Sequence, residues 1–320
     1  MTAGKVERRI AIVGAGAIGL LYAGLLGRAA AAAGGPDLPA PVLITRRPEL
    51  HAAARRGITV LRADGARLLC PGVDARLGSA PGSGDCVLAL ITVAAYDTAW
   101  AARVAAGLLR ADGIAITLQN GLDNRAVLAE VLGEDRALQG ATSFATSAPE
   151  LAVAQLASSG ATWLPTLPAR LDWLPGVLTA AGLEPLHVAD ADQLAWHKIA
   201  IGLNGYLCLA LAKPLGQVVT SAAARALVLR AAHEVLDVAA ACGVHLDRAG
   251  IGPALEKSWG ACTPTSLSSM YADYLAGKHT ELDERLGGVL RRAATQDVAV
   301  PTLRALHDLA RTRLELEGRA

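Results

Sequence analysis

A glycine-rich loop near the start of the chain has the residue types and spacing of a dinucleotide-binding site. It reads Gly-Ala-Gly-Ala-Ile-Gly over residues 14–19 and directly follows an apolar run at 10–13. The first glycine permits a tight turn, the second lets a pyrophosphate approach the backbone, and the third allows a helix to pack closely on a strand. A glycine turn without a ligand is the alternative. The residues predicted to bind the cofactor here are Gly14, Gly16, Ala17, Ile18 and Gly19.

The residues after the second apolar run, Val42–Thr45, indicate which dinucleotide is bound. A protein that prefers NAD normally has Asp or Glu here, which accepts hydrogen bonds from the ribose hydroxyls. This chain instead continues Arg46-Arg47-Pro48. Guanidinium groups bind a 2′-phosphate through bidentate, charge-assisted hydrogen bonds. We therefore predict NADP(H), with Arg46 as the main phosphate contact and Arg47 as its neighbour, and a solvated pair of arginines as the alternative.

Two later apolar runs, Cys86–Thr92 and Ile114–Leu118, are also of strand length. Ligands of open parallel sheets bind outside the carboxyl ends of the strands. Thr92 is therefore predicted to contact the cofactor. Asn120 is placed to hydrogen-bond a nicotinamide ribose or a substrate carbonyl, although Asn120-Gly121 is equally typical of a simple turn.

Lys198 is a candidate general acid, because it lies in an apolar stretch, 192–211, that is predicted to be one helix. A lysine withdrawn from water has a lowered pKa, which suits protonation of an alkoxide. Gly202 and Gly205 share its face of the predicted helix, and each glycine in mid-helix costs about 1 kcal/mol relative to alanine. They make sense if that face leaves room for a ligand or a packed element. Extension of the lysine to solvent is the alternative.

Two polar segments near the carboxyl terminus could add to this site. Ser269 is predicted to cap a helix over Met270–Ala276. Thr280 with Asp283 resembles a capping box for the next helix. Glu281 either complements the dipole of that helix or acts as a catalytic carboxylate, and composition does not decide between the two roles.

The elements that must position these residues fall into two predicted domains. Up to residue 189, short continuous apolar runs alternate with helical stretches, which is typical of a doubly wound α/β domain with a parallel sheet. From residue 190 to residue 320 helical patterns dominate, and an all-helical domain is predicted.

Composition excludes several classes of protein. Of the 320 residues, 52% are apolar and 18% are charged, which supplies a large core and excludes disorder of the whole chain. A net charge of +1 gives no electrostatic footprint for nucleic acid or an anionic membrane. Five scattered cysteines indicate a reducing compartment, with neither disulfides nor metal-ligand spacing. Because the N-terminus lacks a signal core and the apolar run at 199–212 is too short for a bilayer, a cytoplasmic protein is predicted.

The motifs occur in the order found in the ketopantoate reductase (2-dehydropantoate 2-reductase) family, which the chain resembles over nearly its whole length. This resemblance implies a Rossmann domain followed by a helical domain, with the active site in the cleft between them. It also implies hydride transfer from NADPH to the keto carbon of a 2-keto acid, and a homodimer. The matching blocks are Gly14-x-Gly16-x-x-Gly19, Arg46, Asn120-Gly121, Trp196-His197-Lys198-Ile199-Ala200, Ser269-Met270 and His279-Thr280-Glu281-Leu282-Asp283.

The resemblance also implies a role for each residue of the site. Lys198 is the general acid at the carbonyl oxygen. Glu281 binds the distal hydroxyl of the substrate and helps to fix Lys198. Ser269 holds the substrate carboxylate, and Asn120 lines the junction of cofactor and substrate.

The chain departs from the family pattern where polar substrate contacts are expected. Ala94 stands where the family has a lysine, and Gly202 and Tyr206 stand where it has asparagines. Asn204 is included among the predicted substrate-binding residues. On a continuous helix, however, it lies about 160° around the axis from Gly202, so it is a poor substitute for the missing asparagine. The lost polar contacts and the added volume suggest a different or bulkier 2-keto acid than ketopantoate.

The sequence is therefore compatible with three functions. The first is NADPH-dependent reduction of a 2-keto acid, with ketopantoate as the named candidate. The second is a family paralogue that acts on a bulkier 2-keto acid in secondary metabolism. The third is a sensor that binds NADP(H) without turnover, which would not need Lys198, Ser269 or Glu281.

Overall fold

The computed structural model describes residues 8–34, 40–71, 73–78 and 82–319. The first seven residues, on which the prediction of a cytoplasmic protein partly rests, lie outside these ranges. Contacts divide the chain into two compact units. The first contains Met1–Gln119 and Asn124–Ala191, and the second contains Asn120–Asp123 and Asp192–Ala320.

The first unit is built around a parallel sheet. The strands of this sheet occur in the order β5-β2-β1-β6-β7-β8, and all their pairings are parallel. The direction in which strands are added reverses between β1 and β6, which is where doubly wound sheets bind their ligands. The helices and strands are β1 (Ile10–Val13), α1 (Ala17–Ala33), β2 (Val42–Thr45), α2 (Pro48–Arg56), β3 (Ile58–Leu61), β4 (Arg67–Cys70), β5 (Asp74–Leu77), β6 (Cys86–Ile91), α3 (Thr98–Leu108), β7 (Leu109–Thr117), α4 (Asn124–Leu132), β8 (Ala137–Gln139), β9 (Ala141–Thr142), β10 (Ala145–Ser147), β11 (Val153–Ser158), β12 (Thr162–Leu164), α5 (Leu174–Ala180) and β13 (Pro185–His187).

The continuous apolar strands are covered on both faces, as the patterning predicts. Along β1, Ile10 and Ile12 pack in one hydrophobic cluster, and Ala11 and Val13 pack in another on the opposite face. The same unit contains an antiparallel pair, formed by β3 and β4. The predicted α/β class of this unit is confirmed.

Strand β7 differs from its prediction, because it begins at Leu109 and not at Ile114. Leu109 pairs with Cys86, and the register then shifts before Ile114 pairs with Leu88. The intervening residues 110–113 read Arg-Ala-Asp-Gly and form no continuous apolar run, so hydrophobic patterning does not mark them as strand.

The second unit is helical, as predicted. One π-helical turn, Asp283–Gly287, precedes the helix α12. The α-helices are α6 (Ala191–Gly202), α7 (Asn204–Leu211), α8 (Leu215–Val218), α9 (Ala222–Ala241), α10 (Ile251–Gly260), α11 (Ser269–Leu275), α12 (Gly288–Thr295) and α13 (Pro301–Leu316).

The helix predicted over 192–211 is present, but it has a one-residue break at Leu203, between α6 and α7. The Asn204 side chain donates to the Ile201 carbonyl at 3.0 Å and so competes with the helical hydrogen bonds. Gly202 and Gly205 flank the break, and glycine has a low helix propensity. The two glycines therefore flank an interruption in the helical hydrogen bonding, while Leu203 itself keeps α-helical dihedral angles, with φ −61° and ψ −22°.

The stretch Ala191–Leu211 is the one segment of the described chain that is long and apolar enough to cross a membrane, judged by length and composition only. It is 21 residues long, which is longer than the run at 199–212 considered in the sequence. Core helices of soluble proteins pass the same test, and Trp196, Ile199 and Leu203 are buried in the hydrophobic core of the helical unit.

Glu234 of α9 caps the N-terminus of α13. Its carboxylate accepts from the N–H groups of Thr302 at 2.9 Å and Leu303 at 2.8 Å, which have no partner within their own helix. The negative charge also complements the helix dipole. We expect Glu234→Ala to lower the free energy of unfolding by about 1–3 kcal/mol, measured by urea denaturation.

The matched control for this prediction is Glu256→Ala on α10. The Glu256 carboxylate is exposed and pairs with Arg225. An exposed ion pair contributes about 0–1 kcal/mol, so the control is expected to be nearly neutral. Equal losses in the two variants would contradict a capping role for Glu234.

Candidate active site

The glycine loop joins β1 to α1, and its three glycines have three different surroundings. Gly14 has a φ of 117°, and a Cβ there would lie 2.7 Å from the backbone nitrogen of Val93. A Cβ at Gly19 would lie 1.8 Å from the Gly14 carbonyl oxygen. A Cβ at Gly16 would meet nothing within 4 Å. Gly14 and Gly19 thus make the turn possible, while Gly16 leaves its backbone open to a ligand.

The start of α1 is suited to an anion. Gly16 is the N-cap residue and has no side chain, and the first turn, which contains Ala17 and Ile18, has no acidic residue. The N–H groups of a first turn lack intrahelical partners and face the positive end of the dipole. Thr92 supports the loop by donating to the Gly14 carbonyl at 3.0 Å. These residues fit a dinucleotide pyrophosphate.

Arg46 follows β2 directly and is held from two directions. Its guanidinium forms an ion pair with Asp97 and lies over the Trp100 ring, 4.9 Å from the centroid. Its side chain is 53% exposed, so it can also reach a ligand from solvent. Arg47 is exposed at the N-cap position of α2. The sequence did not predict this ion pair. It places the Asp97 carboxylate beside the arginine that is predicted to bind the 2′-phosphate.

Gln119 is a further residue that the sequence interpretation missed. Its buried side chain donates to the Val93 carbonyl at 3.0 Å and to the Thr98 hydroxyl at 2.9 Å. These bonds fix the segment that follows β6 against the end of β7. The available signal was a polar residue directly after an apolar strand.

The segment Asn120–Asp123 belongs to the helical unit, although it follows a strand of the first unit. The Asp123 carboxylate pairs with Arg291 and Arg292, each at 2.7 Å. Burial favours a raised pKa for Asp123, but the two guanidinium groups outweigh burial and lower it. Gly121 has a φ of 110°, which agrees with the turn interpretation. A ligand role for Asn120 stays a prediction.

Lys198 lies on α6, one helical turn before Gly202. A Cβ at Gly202 would meet nothing within 4 Å, so the face beside the lysine is open. The pKa of Lys198 is lowered to about 8, mainly by burial and also by the charge of Arg285, while the charge of Glu281 opposes the shift. A lysine with this pKa can give up and regain a proton near neutrality.

Glu281, Arg285 and Ser269 form a connected group in the same unit. The Arg285 Nε donates to Glu281 Oε2 at 2.9 Å, and its Nη2 donates to the same oxygen. The Arg285 Nη1 donates to Ser269 Oγ at 3.3 Å. The side chains of Arg285 and Glu281 are only 18% and 12% exposed. Arg285 was missed in the sequence, and its spacing of four residues from Glu281 was the available signal.

Two predicted helix caps are wrong. Ser268, and not Ser269, caps α11, because its hydroxyl accepts from the Tyr271 N–H at 3.3 Å. No side chain caps the helical segment that follows Leu282, so a capping box of Thr280 and Asp283 does not form. The Ser269 hydroxyl does not cap the helix and instead accepts a hydrogen bond from Arg285.

Asn204 is placed in the core of the helical unit. It is buried, its amide oxygen accepts from Trp259 Nε1 at 2.9 Å, and its amide nitrogen donates to the Ile201 carbonyl. The expectation that it contacts substrate therefore does not hold, because both ends of its amide are already bonded in the core.

Both units match family models. Residues 10–169 match the model of ketopantoate reductase PanE/ApbA, and residues 190–314 match the model of its C-terminal domain. The chain belongs to the ketopantoate reductase family.

Within the described residues, no group of three or more His, Cys, Asp or Glu side chains could hold a metal ion.

Curated relatives and solved structures agree with this membership. The chain is 32% identical over 203 residues to a 2-dehydropantoate 2-reductase of Halobacterium salinarum, an alignment covering 62% of this chain and 66% of the relative. A second relative, 2-dehydropantoate 2-reductase of Pyrobaculum aerophilum, is 32% identical over 152 residues, covering 47% of this chain and 53% of the relative. The chain thus spans between about half and two thirds of the length of these curated relatives.

Two solved structures share the fold over nearly the whole chain. A PanE/ApbA family ketopantoate reductase from Ralstonia eutropha superposes with a TM-score of 0.83 at 24% identity, covering 97% of this chain and 99% of that chain. A D-mandelate dehydrogenase solved with NADH and anilino(oxo)acetate gives a TM-score of 0.85 at 19% identity, with the same coverages of 97% and 99%. At these identities the likeness shows the fold alone.

Proposed function

We propose that this member of the ketopantoate reductase family reduces a 2-keto acid to the 2-hydroxy acid with NADPH. Among 2-keto acids, ketopantoate is the named candidate for the substrate. The observation that carries the proposal is Lys198, an ammonium group withdrawn from water, with a pKa of about 8, on a helix face that is open at Gly202.

The first unit supplies the cofactor site in this proposal. The open backbone at Gly16 and the first turn of α1 hold the pyrophosphate, and Arg46 binds the 2′-phosphate with Arg47 beside it. When bound, NADPH supplies a hydride to the keto carbon. Thr92 and Gln119 act indirectly, since they hold the glycine loop and the segment after β6 in place.

The helical unit supplies the proton. As the keto carbon gains a hydride, its oxygen becomes an alkoxide, and Lys198 Nζ donates a proton to that oxygen. The ammonium also stabilises the negative charge that develops before the proton is transferred. Ser269 and the Glu281–Arg285 pair hold the remainder of the substrate.

One observation favours the alternative of a bulkier 2-keto acid. A Cβ at Gly202 would meet no other element within 4 Å, so the chain leaves room for a larger substituent where the family has an amide. A D-mandelate dehydrogenase solved with anilino(oxo)acetate has the same fold, which is consistent with such a substrate. A homodimer in the cytoplasm remains the prediction for the assembly and location of the protein.

The test is oxidation of NADPH and NADH by the purified protein with a panel of 2-keto acids. We expect NADPH to be consumed with at least one of ketopantoate and phenylglyoxylate. Preference for ketopantoate would support the named activity, and preference for phenylglyoxylate would support the bulkier substrate. Binding of NADPH without reduction of any carbonyl compound would contradict the proposal and support a sensor.

A further inference from the structure

The cluster that contains Lys198 holds more cations than anions. The charges that act on Lys198 are those of Arg285 and Glu281, so two cations share one carboxylate. The other carboxylates near Arg285 have cations of their own, since Asp273, whose charge also acts on Arg285, pairs with Lys278, and Asp283 pairs with Arg311. An excess positive charge in a half-buried site is costly unless an anion completes it.

The guanidinium of Arg285 retains donors for that anion. An arginine has five N–H groups. Three of them are engaged within the described residues, two with Glu281 and one with Ser269. The remaining donors are on Nη1 and Nη2, at the end of the guanidinium, where a carboxylate can be bound by two parallel hydrogen bonds.

The backbone and a neighbouring hydroxyl also indicate a ligand at this place. Arg285 is the middle residue of the π-helical turn Asp283–Gly287, and single π turns within helices occur frequently at functional sites. The buried Tyr206 hydroxyl makes no hydrogen bond of good geometry, but it interacts with the backbone of Leu286 in the same π-helical turn, and the charges of Arg285 and Glu281 act on it. A buried hydroxyl that is only weakly bonded can accept a further partner from a ligand.

We propose that Arg285 binds the carboxylate of the 2-keto acid, together with Ser269, and is the main determinant of selectivity for acids over neutral carbonyl compounds. Glu281 then holds Arg285 in place and is not free to select substrates by a distal hydroxyl. The substrate class is therefore a 2-keto acid whose distal hydroxyl is dispensable. This inference rests on the proposed function.

The first experiment is Arg285→Gln, studied in the full chain. Loss of a charge-assisted, bidentate contact is expected to raise KM for the preferred 2-keto acid about 10–100-fold. KM for the matching 2-keto amide, which has no carboxylate, is expected to change less than about threefold, because Arg285 does not select for it. Added guanidinium ion is expected to restore part of the activity toward the acid.

Two further variants keep the test interpretable. Arg285→Gln leaves the half-buried Glu281 carboxylate without this cation, so Glu281→Gln/Arg285→Gln removes both charges and should show the same selectivity loss if it folds like the parent. Arg311→Gln on α13 removes an arginine that also pairs with a carboxylate, Asp283, and is expected to leave both KM values unchanged. Equal rises of KM for acid and amide, or no rise for either, would overturn the proposal.

A binding measurement separates this inference from the proposed function. Oxamate is an unreactive carboxylate analogue of a 2-keto acid, and calorimetry with NADPH present measures its affinity without turnover. We expect oxamate to bind the parent protein and to bind Arg285→Gln about 10–100-fold more weakly. If the parent binds oxamate but reduces nothing, the proposed function fails and the role of Arg285 stands. Equal affinity for the two proteins would exclude that role.

Discussion

Lys198→Ala is expected to lower kcat for reduction of the preferred 2-keto acid about 100-fold or more, which is the usual scale for loss of a general acid. The reason is that the ammonium is the proton donor to the alkoxide, and water replaces it poorly in a site built to hold a cation. The dissociation constant for NADPH is expected to change little, because the proposed contacts to the pyrophosphate and the 2′-phosphate lie in the first unit. Rates come from steady-state kinetics, and affinity comes from fluorescence titration.

Lys257→Ala is the matched control, since it removes an exposed lysine from α10. Its kcat is expected to equal that of the parent. A near-normal kcat in Lys198→Ala would show that another group delivers the proton.

The pH dependence of the parent protein tests the same role. The pKa of Lys198 is lowered to about 8, so the group is protonated below that pH and neutral above it. Reduction needs the protonated form, and its kcat/KM should fall as the pH rises through about 8. Oxidation of the 2-hydroxy acid needs the neutral form and should show the opposite trend. A Lys198→Ala protein that keeps both trends would assign them to a different group.

Arg46→Ala is expected to raise KM for NADPH about 10–100-fold and to change KM for NADH by less than about threefold. Only NADPH has the 2′-phosphate, and the Arg46 guanidinium is oriented by Trp100 and exposed to solvent. Steady-state kinetics with each cofactor measure the ratio. An unchanged preference would exclude Arg46 as the phosphate contact.

Asp97→Asn gives a change in the opposite direction at the same place. Its carboxylate pairs with Arg46 and would repel a phosphate bound there. Removing the charge is therefore expected to lower KM for NADPH severalfold and to leave KM for NADH unchanged. A rise of KM for NADPH would show that Asp97 serves mainly to orient Arg46.

The sequence predicted the elements whose signals are local. The runs Ile10–Val13 and Val42–Thr45 are strands with those bounds, because both faces of each strand are buried and the residues are continuously apolar. The glycine loop was also predicted from a local signal, since each of its three glycines meets a separate steric requirement.

The sequence did not predict features that arise from residues far apart in the chain. The ion pair of Arg46 and Asp97 joins residues 51 positions apart, and the bond of Arg285 to Ser269 joins residues 16 positions apart. The helix break at Leu203 is a local feature, but it lies beside a bond from the Asn204 side chain to the Ile201 carbonyl, which apolar periodicity does not indicate. Neither periodicity nor composition records such contacts.

The segment Asn120–Asp123 has a consequence for dissecting the protein. The polypeptide leaves the α/β unit after Gln119, returns at Asn124, and leaves again after Ala191. A fragment that starts at residue 192 would lack Leu122, which packs on the helical core, and would leave Arg291 and Arg292 without the Asp123 carboxylate. Separate expression of the helical half therefore requires this tetrapeptide to be grafted back, and limited proteolysis near residue 191 alone cannot release an intact half.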